Sequence, residues 1–138
     1  MLINGAPSSA IEAGMLILLG INQGDTAEDA QYLAERSSNL RIFNDQDGKM
    51  NLSLRDVNGS ALVVSQFTLY GDTSKGNRPS YGEAAPPEIA EPLYQEFVEQ
   101  IKSIIGEDKV ATGVFRAMMQ VELVNDGPVT ILLESKHK

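Results

Sequence analysis

The chain of 138 residues has no cysteine and a single histidine. Without cysteine there is no disulfide, no thiolate nucleophile and no cysteine-ligated zinc, and the composition fits a reducing compartment. His137 is next to last, in a Lys-His-Lys tail, where an imidazole is expected to be solvated rather than catalytic. A Ser-His-Asp triad and a His-bound metal are therefore not expected, and neither is a cofactor. No apolar run approaches the ~20 residues of a membrane span. Residues 1–21 lack the charged start of a signal peptide. Positive charge is also scarce: 11 Lys and Arg stand against 19 Asp and Glu, a net charge of −8. A protein that coats nucleic acid needs a basic face for the phosphates, so this chain is not of that kind. It could still grip the end of an RNA. Together these absences predict a soluble, cytoplasmic protein with no membrane partner.

A chain of this length suits one domain, residues 1–138, which can bury enough surface to hold a core unaided. Met15–Ile21 is an apolar run of strand length between Gly14 and Gly20. Thr26–Ser37 reads as a helix, with Asp25 and Thr26 offering an N-cap and Glu28 at capping-box spacing. Leu40–Phe43 and Met50–Leu54 flank a turn whose Asp47-Gly48 is a hairpin signal. Ser60–Tyr70 is the strongest strand. Gly71–Pro87 is a long loop rich in Gly, Ser, Asn and Pro, and such loops tend to be functional. From Pro87 to Gly106, Ile89, Leu93, Tyr94, Phe97, Val98, Ile101, Ile104 and Ile105 recur at helical spacing, with Pro92 as a fault unless the first turn is irregular. Met119, Val121 and Leu123 alternate with Gln120 and Glu122, and Val129–Glu134 closes the chain, two further strands. The fold class is α/β: a single layered domain of mixed β-sheet, curled toward a barrel, with two main helices packed outside.

Three segments hold groups suited to chemistry. In a straight strand, Ser65 and Phe67 share one face while Gln66 and Thr68 share the other. Buried Gln and Thr need partners. They form either a strand end emerging into solvent or a polar floor beneath a bound ester, with main-chain N–H groups facing an oxyanion. One such donor is worth ~2.7–4 kcal/mol to a transition state. A Ser65 or Thr68 nucleophile would need a neighbouring base, and the sequence supplies none nearby. Asn125-Asp126-Gly127-Pro128 is either a tight turn or a cis Gly-Pro segment, since proline is disfavoured inside a sheet. Lys75 and Arg78 make Asp72–Ser80 locally basic, as a solvated loop or as a contact for an RNA terminus. Gly5, Gly14 and Gly20 match no nucleotide-binding fingerprint.

Ser65-Gln66-Phe67-Thr68-Leu69-Tyr70 and Asn125-Asp126-Gly127-Pro128-Val129-Thr130 resemble, in order, the two signature motifs of the D-aminoacyl-tRNA deacylase family. Leu40–Phe43, Gly48–Leu54, Asp72–Tyr81, Ala84–Pro87, Phe115, Ala117 and Met119 extend the match from about residue 3 to residue 134. The resemblance implies a homodimer that hydrolyses the ester between a D-amino acid, or glycine, and the 3′-terminal adenosine of tRNA. It assigns Ser65, Gln66, Phe67 and Thr68 to catalysis. Gly127, Pro128, Asn125 and Met119 go to substrate binding and chiral selection, the Gly-Pro pair being cis and reaching into the partner's pocket. Lys75 and Arg78 go to the tRNA end. It favours attack by water, assisted by the ribose 2′-OH, with amides near Gln66 and Phe67 holding the oxyanion. Family members usually begin with a further strand carrying a Gln-Arg pair, which this chain, starting at Met1-Leu2-Ile3, lacks. Gly71 and Arg116 stand where alanine and a small residue are expected. Two other readings stay open at this level: a non-catalytic module binding aminoacyl-adenosine or a tRNA end, and a serine or threonine hydrolase of small esters.

Overall fold

The computed structural model describes residues 1–135. In chain order its elements are β1 (Leu2–Ile3), β2 (Ala6–Pro7), β3 (Gly14–Leu19), α1 (Ala27–Asn39), β4 (Phe43–Asn44), β5 (Met50–Leu52), β6 (Ser60–Ser65), α2 (Pro87–Ile105), β7 (Val110–Thr112) and β8 (Met119–Gln120). Short 3-10 turns occupy Phe67–Tyr70 and Glu107–Lys109.

The centre is a parallel sheet in the order β3-β6-β7. Its register runs from Gly14↔Ser60 to Leu19↔Ser65 on one side of β6, and from Ala61↔Val110 to Val63↔Thr112 on the other. Parallel neighbours require long crossovers. The first carries α1 and the β4–β5 hairpin, and the second carries α2. Ala61, Leu62, Val63 and Val64 are all buried, so β6 reads as a continuous apolar run rather than an alternation. Helix α2 supplies Tyr94, Phe97, Val98 and Ile101 to the same core, and α1 supplies Ala30 and Ala34.

Helix α1 is capped by Thr26, but the carboxylate that closes the box is Asp29, which accepts the Thr26 N–H at 2.7 Å. Asp25 instead accepts the Asn22 N–H, so the expected pairing with Glu28 is corrected. Helix α2 begins on Pro86-Pro87, runs unbroken through Pro92 and stops at Gly106, whose φ of 109° suits glycine. Pro92 cannot donate to the Glu88 carbonyl, and both residues face solvent, where water replaces the lost bond.

The mixed α/β fold with two main helices is as expected, and the strands form separate sheets rather than a closed barrel: a second small sheet, β2-β1-β8, and the β4–β5 pair accompany the central sheet. One strand expectation is corrected. Residues 121–134 form no strand, although their pattern suits one. A strand exists only when its backbone groups find a neighbour, and among the described residues this segment has none. Several of its apolar side chains are accordingly bare, Val124 at 92% and Leu132 at 77% exposure.

Candidate active site

Ligand crevices of open parallel sheets form beyond the carboxyl ends of the strands. Here those ends deliver Gly20 after β3, Ser65–Thr68 at the end of β6 and Gly113 after β7. Ser65 is the last paired residue of β6, opposite Leu19. The next residue, Gln66, donates its main-chain N–H to the Leu19 carbonyl at 2.8 Å. The chain then turns. Phe67–Tyr70 is a 3-10 turn rather than a continuation of the strand, so the two-faced arrangement expected for Ser65–Thr68 is overturned. Gly20 makes the turn possible. A Cβ there would lie 3.2 Å from the Leu69 Cβ and from the Tyr70 ring.

The turn leaves specific groups available. Leu69 donates to the Gln66 carbonyl at 3.2 Å and Gly71 to the Thr68 carbonyl at 3.0 Å. The first amides of such a turn have no acceptor within it, and these are the amides of Phe67 and Thr68. The Gln66 amide, expected to serve beside Phe67, is committed to Leu19. Gln66 donates its side-chain amide to the Thr68 hydroxyl, so these two polar groups satisfy each other at an exposed lip. Among the described residues, no hydrogen bond joins the Thr68 hydroxyl to a carboxylate or a lysine that could serve as a base. Ser65 and Gln66 are half-buried, and Phe67 and Thr68 are exposed.

The ring of Phe67 meets Tyr81 edge to face, centroids 5.0 Å apart. Sequence reasoning passed over Tyr81, and over Gly20 as the seat of the turn. The only available signal for each was its place at the end of a motif. Burial pushes the Tyr70 hydroxyl above its ordinary pKa, and nearby carboxylates of Asp25, Glu134, Glu83 and Asp29 add to the shift. Tyr70 is therefore a neutral donor at physiological pH rather than a base.

Met119, in β8, is brought to the same end of the sheet. Its sulfur would lie 2.6 Å from a Cβ at Gly113, and Gly113 donates to the Val63 carbonyl of β6 at 3.0 Å. The second signature segment is built differently. Asn125 accepts the Val129 N–H at 3.0 Å and donates to the Thr130 hydroxyl at 3.2 Å, bracketing Gly127-Pro128. The Gly127-Pro128 peptide bond is cis. Residues 125–128 are exposed, and no hydrogen bond or ring contact among the described residues joins them to Ser65–Thr68.

The loop with Lys75 and Arg78 is less open than its composition suggests. Asp72 and Ser80 exchange main-chain bonds at 2.8 and 2.9 Å, closing its base. The Asp72 carboxylate accepts the Ser74 N–H at 2.9 Å, and that bond holds its pKa below the ordinary value. Lys75 and Arg78 lie exposed between these ties. Among the described residues no three His, Asp or Glu side chains gather as metal ligands, and no helix is long and apolar enough to cross a membrane. His137 lies outside the described residues.

The family model described as D-Tyr-tRNA(Tyr) deacylase matches residues 1–134. A D-aminoacyl-tRNA deacylase of Thermosipho africanus is 60% identical over 134 residues, spanning 97% of this chain and 89% of its own length. One from Salinibacter ruber is 56% identical with the same coverage. Among solved structures, a c-Myc DNA Unwinding Element Binding Protein superposes with a TM-score of 0.94 at 41% identity, covering 99% of this chain and 91% of its own. A probable eukaryotic D-amino acid tRNA deacylase shares the fold, with a TM-score of 0.63 at 16% identity over 78% of this chain and 77% of its own.

Proposed function

This chain belongs to the D-Tyr-tRNA(Tyr) deacylase family and is an ester hydrolase of D-aminoacyl-tRNA; we propose that it works as a cytoplasmic homodimer in which each copy completes the other's site. The observation that carries the mechanism is the turn after β6. It offers the Phe67 and Thr68 amides, the Gln66–Thr68 side-chain pair and no nucleophile–base couple.

The ester carbonyl of the 3′-terminal aminoacyl-adenosine lies against this turn. Water attacks the carbonyl carbon with the ribose 2′-OH assisting. Negative charge develops on the carbonyl oxygen, where the two amides stabilise it more than they stabilise the neutral ester. Collapse of the tetrahedral intermediate breaks the bond to the ribose oxygen, which takes a proton, and frees the amino acid. Gln66 and Thr68 orient the ester, and Thr68 forms no covalent bond. Lys75 and Arg78 meet the phosphates of the single-stranded end. An otherwise acidic protein of net charge −8 needs such local cations for an RNA terminus.

Gly127, Pro128 and Asn125 of one copy enter the pocket of the other, with Met119 of the receiving copy beside them. Main-chain carbonyls there test the α-carbon. They cannot yield as side chains do, so an L side chain is turned away while a D side chain, or the hydrogen of glycine, passes. The exposed apolar residues Met118, Leu123, Val124, Ile131 and Leu132 support a second copy as the missing neighbour.

The test is time-resolved deacylation of matched D-Tyr-tRNA and L-Tyr-tRNA, with sedimentation equilibrium alongside. The expected result is loss of the D-ester, survival of the L-ester and twice the 14.9 kDa chain mass. Equal hydrolysis of both esters would overturn the stereochemical role, and an active monomer would overturn the shared site.

A further inference from the structure

The carbonyl of Val63 is the last acceptor that β6 offers to β7. The register ends at Val63↔Thr112, and Gly113 adds one bond to Val63 before the chain departs. A second donor reaches this carbonyl from α2. The Tyr94 hydroxyl bonds to it at 2.9 Å from a residue only 2% exposed. The Thr112 side chain lies beside Tyr94, and the Tyr94 ring packs on Phe115 with centroids 5.9 Å apart. Tyr94 therefore touches β6, the end of β7 and the segment that leads to Met119.

Val63 stands two residues before Ser65, on the same side of the strand. In a parallel ladder, alternate residues of β6 turn their backbone groups toward the same neighbour. Val63 turns toward β7, while Gln66 turns toward β3 and bonds to Leu19. Once β7 has ended, Ser65 has no continuing β7 rung to fix it. The rung before it then sets the height and twist at which Ser65–Phe67 enter the turn. A tyrosine that served only to fill the core would do as well as phenylalanine. The buried hydroxyl needs a partner and has found one at this rung.

We infer that Tyr94 is a positioning residue for the ester hydrolysis: its hydroxyl fixes the last rung between β6 and β7, and with it the amides of the Phe67–Tyr70 turn. This rests on the assignment of those amides to the oxyanion under the proposed function. Displacement of an oxyanion donor by a fraction of an ångström weakens transition-state binding more than substrate binding. The loss therefore falls on kcat and spares KM.

The experiment compares Tyr94→Phe with Ile101→Val, another buried substitution in α2, in D-Tyr-tRNA deacylation well below both melting temperatures. The expected result is a drop in kcat of about tenfold for Tyr94→Phe, with KM within about twofold. Faster hydrogen exchange at the Gly113 amide accompanies it, and Ile101→Val stays near wild type in kcat. A Tyr94→Phe enzyme with wild-type kcat would overturn the inference, as would equal losses in the two variants, which indicate a purely structural role. Should Tyr94→Phe fail to fold, Thr112→Val decides: a lowered kcat at unchanged KM supports the role, and a wild-type kcat overturns it. If the unaltered protein does not turn over D-Tyr-tRNA at all, the proposed function has failed instead, and the Gly113 exchange rate in Tyr94→Phe still reports whether the hydroxyl holds the rung.

Discussion

The main-chain N–H of Gln66 lies 2.8 Å from the Leu19 carbonyl, and this bond marks where the central sheet ends and the candidate site begins. Gln66 is thereby taken out of the set of available amides, and the turn that follows is held over Gly20. Its consequences are open to measurement, as are those of the neighbouring segments.

Substituting Gly20→Ala sets a methyl 3.2 Å from Leu69 Cβ and the Tyr70 ring and 3.3 Å from the Gln66 carbonyl. Crowding of this kind in a packed site typically costs about 1–3 kcal/mol. Chemical denaturation should give a loss in that range, and deacylation should slow by about tenfold because the turn carries the amides.

Thr68→Val removes the hydroxyl that accepts from Gln66 and keeps the main-chain amide. With water as the attacking group, hydrolysis continues at a rate lowered by about fivefold, the worth of one hydrogen bond of roughly 1 kcal/mol. Single-turnover kinetics provide the check. Abolished turnover, with an acyl-enzyme trapped on the wild type, would restore Thr68 as nucleophile.

Asn125→Ala deletes both side-chain bonds across the Gly127-Pro128 segment. At roughly 1 kcal/mol each, their loss loosens the segment, and the preference for D-Tyr-tRNA over L-Tyr-tRNA should fall about tenfold. The ratio of the two rates reads it directly.

Arg116 has a φ of 67°, a conformation that costs a residue with a side chain roughly 1–2 kcal/mol. Glycine relieves that cost but gains freedom in the unfolded chain worth about 0.4–1 kcal/mol. Arg116→Gly should therefore raise stability by up to about 1 kcal/mol, visible as a melting temperature higher by ~3 °C.

The Asp72 carboxyl is held below its ordinary 3.8 by the Ser74 amide. A lowered folded value means the tie contributes fully above the unfolded pKa and is lost as pH falls through the folded one. In a titration followed by NMR, the Ser74 amide should shift at a pH below 3.8. Asp72→Asn should abolish the inflection.

The sequence by itself determined the elements whose periodicity is local. The stripe from Ile89 to Ile105, closed by Gly106, gave α2 its length and buried face. The apolar runs at Met15 and Ala61 gave the two long strands. The two signature motifs identified the family, because their residue order carries that information before any folding. Tertiary structure alone decided how those groups are presented. Whether Ser65–Tyr70 stays straight depends on β3 ending at Leu19 and on Gly20 having no side chain, and Gly20 lies some forty-five positions earlier in the chain. Which amides are left for a ligand depends on which carbonyl Gln66 reaches. Whether residues 121–134 form a strand depends on a neighbour for their backbone, which local pattern cannot supply. The alternation that predicted a strand there recorded two faces, and only a partner in space converts two faces into a ladder.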